Sequence, residues 1–142
     1  MPYTTQANLV KHFGERMLIA LTDRGSVASG AIDTAVVDEA IAGTDALIDG
    51  YLAGRYALPL AMTPRLIAEL AEDIAIWKLH TSDPDPKIER DYSDAIRTLK
   101  DISSGTISLD VAGAEPASTG GTGVRITDRE RPLTAQNLKG FI

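Results

Sequence analysis

The sequence predicts a mainly α fold: a small bundle of four to five helices followed by a short β segment and an extended C-terminal arm. Three observations carry this expectation. Apolar residues recur with a period near 3.6 in successive stretches between residues 4 and 104. Helix start signals, Thr63-Pro64 and Asp83-Pro84-Asp85-Pro86 among them, separate those stretches. Beyond residue 105 the pattern changes, first to period two and then to a Gly/Ser-rich spacer. The chain is therefore read as a helical body over residues 1–104, a short strand and spacer over 105–123, and a docking arm over 124–142.

The elements follow in order. Thr4 or Thr5 caps a first helix with Leu9, Val10 and Phe13 on one side, and Gly14 ends it. Glu15 to Leu21 restarts as a second short helix with Met17, Leu18 and Leu21 inward. A flexible connection, Gly25 to Gly30, leads to Asp33, the N-cap of the longest helix, Thr34 to Gly54. There Val37, Ala40, Ile41, Thr44, Leu47, Ile48, Tyr51 and Leu52 keep the helical period, which makes this helix central. Gly43, Gly50 and Gly54 share a side of it, although each helical glycine costs up to about 1 kcal/mol relative to Ala. Close helix crossing within the domain is the first explanation; contact with another subunit is the second.

Thr63 and Pro64 start a helix running to Thr81, with Leu66, Ile67, Leu70, Ile74 and Trp77 inward and Glu69, Glu72 and Asp73 outward. Asp85 and Pro86 start another, with Ile88, Tyr92, Ala95, Ile96, Leu99 and Ile102 in one stripe. Outside it, Lys87–Asp91, Arg90–Asp94 and Arg97–Asp101 are spaced to pair across single turns. Ile107, Leu109 and Val111 then alternate, which reads as a strand needing a partner. A hairpin with residues 123–127, a strand added to a neighbouring subunit, and an extended segment lying on the body all remain open.

The last nineteen residues are unusual for a tail. Segments that stay unfolded alone are poor in large apolar side chains, because they cannot bury enough surface to offset ordering entropy. This one keeps Val124, Ile126, Leu133, Leu138, Phe141 and Ile142 beside Arg125, Arg129 and Arg131. The four glycines between residues 113 and 123 make a tether with a reach of about 20 Å, enough to cross to a neighbour. These nine residues are the expected partner-binding set, the arginines suiting carboxylates on the partner.

Composition narrows the function. The 142 residues form one domain by length, and a 44% hydrophobic content lets the body fold without metal or disulfide. There is no cysteine, so sulfur nucleophiles and thiolate metal sites are excluded. The first residues lack a signal-peptide pattern and no apolar run approaches membrane-spanning length, so cytoplasmic synthesis without membrane contact is expected. Net charge is −6: residues 1–104 carry ten Lys/Arg against sixteen Asp/Glu, while 105–142 carry four of each. An acidic body opposes DNA groove reading but suits a conduit through which DNA slides.

Catalytic and cofactor motifs are missing from the sequence. Gly120-Gly121-Thr122-Gly123 lacks the Lys-Ser/Thr of a phosphate loop, and no nucleophile elbow occurs. His12 and His80 read as ordinary surface or helix-end residues, and Glu69, Glu72, Asp73, Asp83 and Asp85 as solvated or capping groups. No catalytic residue, metal ligand or cofactor is expected, and the chain is not expected to be an enzyme.

Several patterns occur together: Tyr3-Thr4-Thr5, Asn8-Leu9, Phe13-Gly14-Glu15, Leu18, Leu21-Thr22-Asp23, the block Ile48-Asp49-Gly50-Tyr51-Leu52-Ala53-Gly54-Arg55-Tyr56-Ala57-Leu58-Pro59-Leu60, and the tail Arg129-Glu130-Arg131-Pro132-Leu133 with Gly140-Phe141. With them the chain resembles the small neck protein family of Mu-like phages and prophages. That resemblance implies a structural virion protein of the neck: a head-completion or adaptor subunit made in the host cytoplasm. It implies a ring of about twelve copies beneath the portal protein, followed by a downstream neck or tail-completion protein and continuing the DNA channel. No catalytic residues come with it. Two other classes stay in view. A packaging-associated DNA-binding protein would need a basic patch, and a small hydrolase would need convergent polar groups such as Glu69 and Asp73 in a pocket.

Overall fold

A computed structural model describes residues 1–111; the spacer from Gly113 to Gly123 and every predicted arm residue from Val124 to Ile142 lie outside the described residues. Five helices follow in order: α1 Gln6–Phe13, α2 Glu15–Thr22, α3 Thr34–Leu52, α4 Arg65–Leu79 and α5 Pro86–Ser104. Helices α3, α4 and α5 pack as an antiparallel trio, and the α1–α2 pair closes one end against α3 and α4.

Local chemistry sets the boundaries. The Thr5 hydroxyl accepts from the Asn8 N–H at 3.3 Å and caps α1. Gly14, at φ +89°, ends α1 and opens α2 in a backbone region that L side chains rarely adopt. Asp33 caps α3 by accepting from Ala35 N–H at 3.0 Å, and its own N–H donates to Thr22 Oγ1 at 3.1 Å. The connection before it, expected to be flexible, is held together: the Asp23 carboxylate accepts from the N–H of Ser29 at 2.9 Å and of Gly30 at 3.1 Å. Asp85 caps α5 through Lys87 N–H at 2.9 Å, with Pro86 at the first position. Gly105 closes α5 in the left-handed region at φ +84°.

Three boundaries differ from expectation. Helix α3 ends at Leu52, which leaves Gly54 in the following turn. Pro64 rather than Thr63 holds the cap position of α4, because its ψ of 146° is still extended and no side chain caps the end. That helix stops at Leu79 instead of Thr81, where His80 turns extended at ψ 130°.

The core divides into two clusters along the trio. One joins the start of α3, the end of α4 and the start of α5 to the short helices through Leu9, Leu18, Val37, Ile41, Ala75, Ile76, Leu79 and Ile88. The other joins the opposite ends through Ile48, Leu52, Ile67, Leu70, Ile74, Leu99 and Ile102. Burying each such side chain contributes about 1.5–3 kcal/mol, so these stripes outweigh the surface ion pairs by an order of magnitude. Trp77 and Tyr92 stack at 4.0 Å across α4 and α5.

The predicted strand is absent among the described residues. Residues 106–111 form no ladder: the chain bends at 106–107, and the Val111 N–H donates to the Leu109 carbonyl at 3.0 Å; they lie on the second cluster, with Leu109 and Val111 buried and Ile107 packed against it. The alternation was real, and its partner is the body itself. The buried Tyr56 hydroxyl accepts from the Leu109 N–H at 3.0 Å, which satisfies a donor that a neighbouring strand would otherwise take. Replacing Tyr56 with Phe orphans that N–H and should cost about 1–3 kcal/mol. Chemical denaturation should show it as a lower midpoint with an unchanged slope; an unshifted midpoint would mean that residues 106–111 are not anchored there.

Candidate functional site

The predicted site residues fall into two groups. The arm set from Val124 to Ile142 is outside the described residues. The glycines lie on or just beyond α3, but crossing within the domain does not explain them. A Cβ on Gly50 or Gly54 would meet nothing within 4 Å, and one on Gly43 would meet only the Lys78 side chain, from 3.5 Å outward. Gly43 lines a shallow groove with Arg24, Glu39 and Lys78, whereas Gly50 and Gly54 are exposed.

Building outward from the chain's exit, residues 105–111 meet the end of α3 and the turn after it. Tyr56, 3% exposed, holds Leu109, while the Arg55 guanidinium lies so close to Gly105 that a Cβ there would sit 2.3 Å from its Nη1. Gly105 therefore meets two demands, a left-handed φ and room for Arg55. The N-terminal segment joins from the other side. The Tyr3 hydroxyl donates to Asp49, and the Tyr3 N–H donates to Asp45 Oδ1 at 3.0 Å. Burial, followed by the bond to Asp49, pushes the Tyr3 phenol well above its ordinary range. Burial also raises the Asp45 carboxyl, partly opposed by the bond from Tyr3. Tyr3, Asp49, Arg55 and Tyr56 thus gather near residues 105–111, the last described stretch of the chain, and we call this place the exit site.

A second feature is an open cleft of about 770 Å³ between α1, α4 and α5. His12 Nδ1 lies 2.7 Å from Glu72 Oε2, Arg65 Nε 2.8 Å from Glu69 Oε1, and Lys87 pairs with Asp91. Glu72 and Asp73, expected outward, are half-buried, because α1 covers this side of α4. His12 is exposed in the last turn of α1, as expected, and in addition links that helix to Glu72 of α4. On α5, Lys87–Asp91 forms as expected. Arg90 instead donates to the Pro86 carbonyl, and Arg97 pairs with Asp94 at 3.5 Å, because the preceding turn is within easier reach. Six of the eight charged or titratable side chains lining the cleft stand in the His12–Glu72, Arg65–Glu69 and Lys87–Asp91 pairs, Lys11 and Asp73 being the others, and the His12–Glu72 pair joins α1 to α4. Among the described residues no three His, Asp or Glu side chains stand close enough to hold a metal ion. No described helix is long and apolar enough to cross a membrane.

Asp73 is the strained member of the cleft. Burial and the neighbouring Asp91 hold its carboxyl above the ordinary 3.8, against the pull of His12 and Lys87. The folded state therefore binds this proton more tightly than the unfolded chain does, and stability falls as pH rises from 3.8 through the raised value. Asp73→Asn should raise Tm at pH 7 by roughly a degree or more and leave it unchanged below pH 3.8. Thermal scans at the two pH values check this, and a lower Tm at pH 7 would contradict it.

A five-helix body, with the N-terminal segment and residues 105–111 gathered at one end, defines the class: a small helical bundle. Residues 3–127 match the family described as "Bacteriophage Mu, Gp36", and the chain belongs to it. It is 33% identical to "Gene product J" of Escherichia phage Mu over 142 residues, covering 100% of both chains. It is also 29% identical over 140 residues to "Mu-like prophage FluMu protein gp36" of Haemophilus influenzae, covering 99% of this chain and 98% of that one. The family expected from the resemblance is thus the one found. The stretch Ile48 to Leu60, within the matched residues, holds the exit-site residues Asp49, Arg55 and Tyr56.

Proposed function

We propose that the chain is a structural subunit of the phage neck: a head-tail connector of the adaptor or head-completion kind. Copies form a ring beneath the portal protein, continue the DNA channel, and use residues 124–142 to fasten to a neighbouring molecule. One observation carries this reading. The body buries its own apolar side chains and leaves exposed, among the large hydrophobic residues described, only Met1, Val27 and Met62. The six apolar anchors of the arm therefore have little surface to cover on their own body, and their ordering is offset by burial on another molecule.

Two further features support it. The family membership is with proteins of Mu and a Mu-like prophage over nearly their full lengths. The body's excess of carboxylates suits a channel wall that does not hold DNA, and Arg65, Lys87 and Arg97 lie beside carboxylates instead of forming a basic patch.

Deleting residues 124–142 should leave the body's Tm unchanged and abolish attachment to the portal. Native mass measurement of the full-length and shortened proteins, each alone and with the purified portal, reads both effects. Infectious particles completed with the shortened protein would contradict the proposal.

A further inference from the structure

Among the described residues, one face of α3 is covered by no other helix and meets only the N-terminal segment. Asp38, Ala42, Asp45 and Asp49 succeed one another at steps of four, three and four residues, so they fall on a single stripe. Beside that stripe the N-terminal segment leaves a groove of about 330 Å³, lined by Pro2, Thr4 and Thr5 on one side and by Asp38, Ala42 and Asp45 on the other. No lysine, arginine or histidine lines it. Among the described residues Asp45 and Asp49 accept only from Tyr3 and Asp38 makes no bond; burial raises the Asp45 carboxyl, against the pull of the Tyr3 N–H and the N-terminal ammonium. A separate observation marks the same place: Thr4 is 1% exposed, and its Oγ1 is the one buried side-chain polar atom among the described residues without a hydrogen-bond partner. Asp38 without a described partner, Asp45 with the Tyr3 N–H as its single hydrogen bond, an apolar floor and an orphan hydroxyl form a receptor for a cationic side chain carried on an apolar segment.

We propose that this groove receives the arginine-bearing part of the arm, residues 124–133, from a second copy of the chain. The segment carries Arg125, Arg129 and Arg131 against Asp128 and Glu130, a net charge of +1 opposite a groove without basic side chains; its arginines meet Asp38 and Asp45, while Val124 and Ile126 supply the apolar face. Length permits it, because twelve residues separate Val111 from Val124 and the tether reaches about 20 Å as a coil. The step rests on the arm acting between molecules, as in the connector reading, and it names the surface that the arm meets. In a ring, each copy then offers its groove to one neighbour and its arm to the other.

The absence of cysteine makes the test clean. Full-length Ala42→Cys and full-length Thr127→Cys proteins keep every proposed charge, and each is mixed with the other in concentrated solution and on the portal under mild oxidation. The expected result is a disulfide-linked dimer in the mixture. The double variant Ala42→Cys/Thr127→Cys should give a ladder of linked chains, and adding Asp38→Lys should reduce linkage at least fivefold. A double variant that closes its disulfide within one chain overturns the proposal, as does linkage indifferent to Asp38→Lys or absent under both conditions. Wild-type protein that fails to attach to the portal counts against the connector reading alone, since linkage in solution is read independently of it.

Discussion

Helix α4 is buried along most of its length, at Ile67, Leu70, Ala71, Ile74, Ala75, Ile76 and Leu79, and both core clusters are built on it. With α3 and α5 antiparallel on its flanks, the two ends of the trio become different places. One end is sealed by α1 and α2. The other is sealed by the last residues of the described chain, so the exit toward the arm is itself part of the core. Polar groups then set the details: Tyr56 satisfies the Leu109 N–H, and Tyr3 straps the N-terminal segment to α3.

The elements legible in the sequence were those whose signals are local. All five helices and the apolar stripes of α3, α4 and α5 follow from 3.6-residue spacing, and Thr5, Asp33 and Asp85 cap as their side chains suggest. What was illegible depends on residues far apart. His12 and Glu72 are 60 positions apart, Tyr3 and Asp49 are 46, and Tyr56 and Leu109 are 53. No spacing rule brings such pairs together. The false strand has a physical reason: period two reports alternating burial, and a segment lying on a helical body alternates in the same way as one in a sheet.

The glycines teach a related lesson. Their shared side of α3 invited an explanation by close crossing, yet open space surrounds Gly50 and Gly54. Gly105, which drew less notice in the sequence, is the position where both conformation and space demand glycine. The block from Ile48 to Leu60 becomes intelligible on the same terms. Asp49 takes the N-terminal strap, Arg55 lies under the end of α5, and Tyr56 anchors the exit segment. Together they hold the N-terminal segment and residues 105–111 against the end of α3.

The central claim is that order in the arm comes from a second molecule while the body is complete by itself. Hydrogen exchange of the full-length protein, free in dilute solution and then assembled with its portal, tests this most directly. The account predicts that amides in 124–142 gain strong protection only on assembly, while those of α3, α4 and α5 are protected equally in both states. Full protection of 124–142 in the free monomer would contradict it.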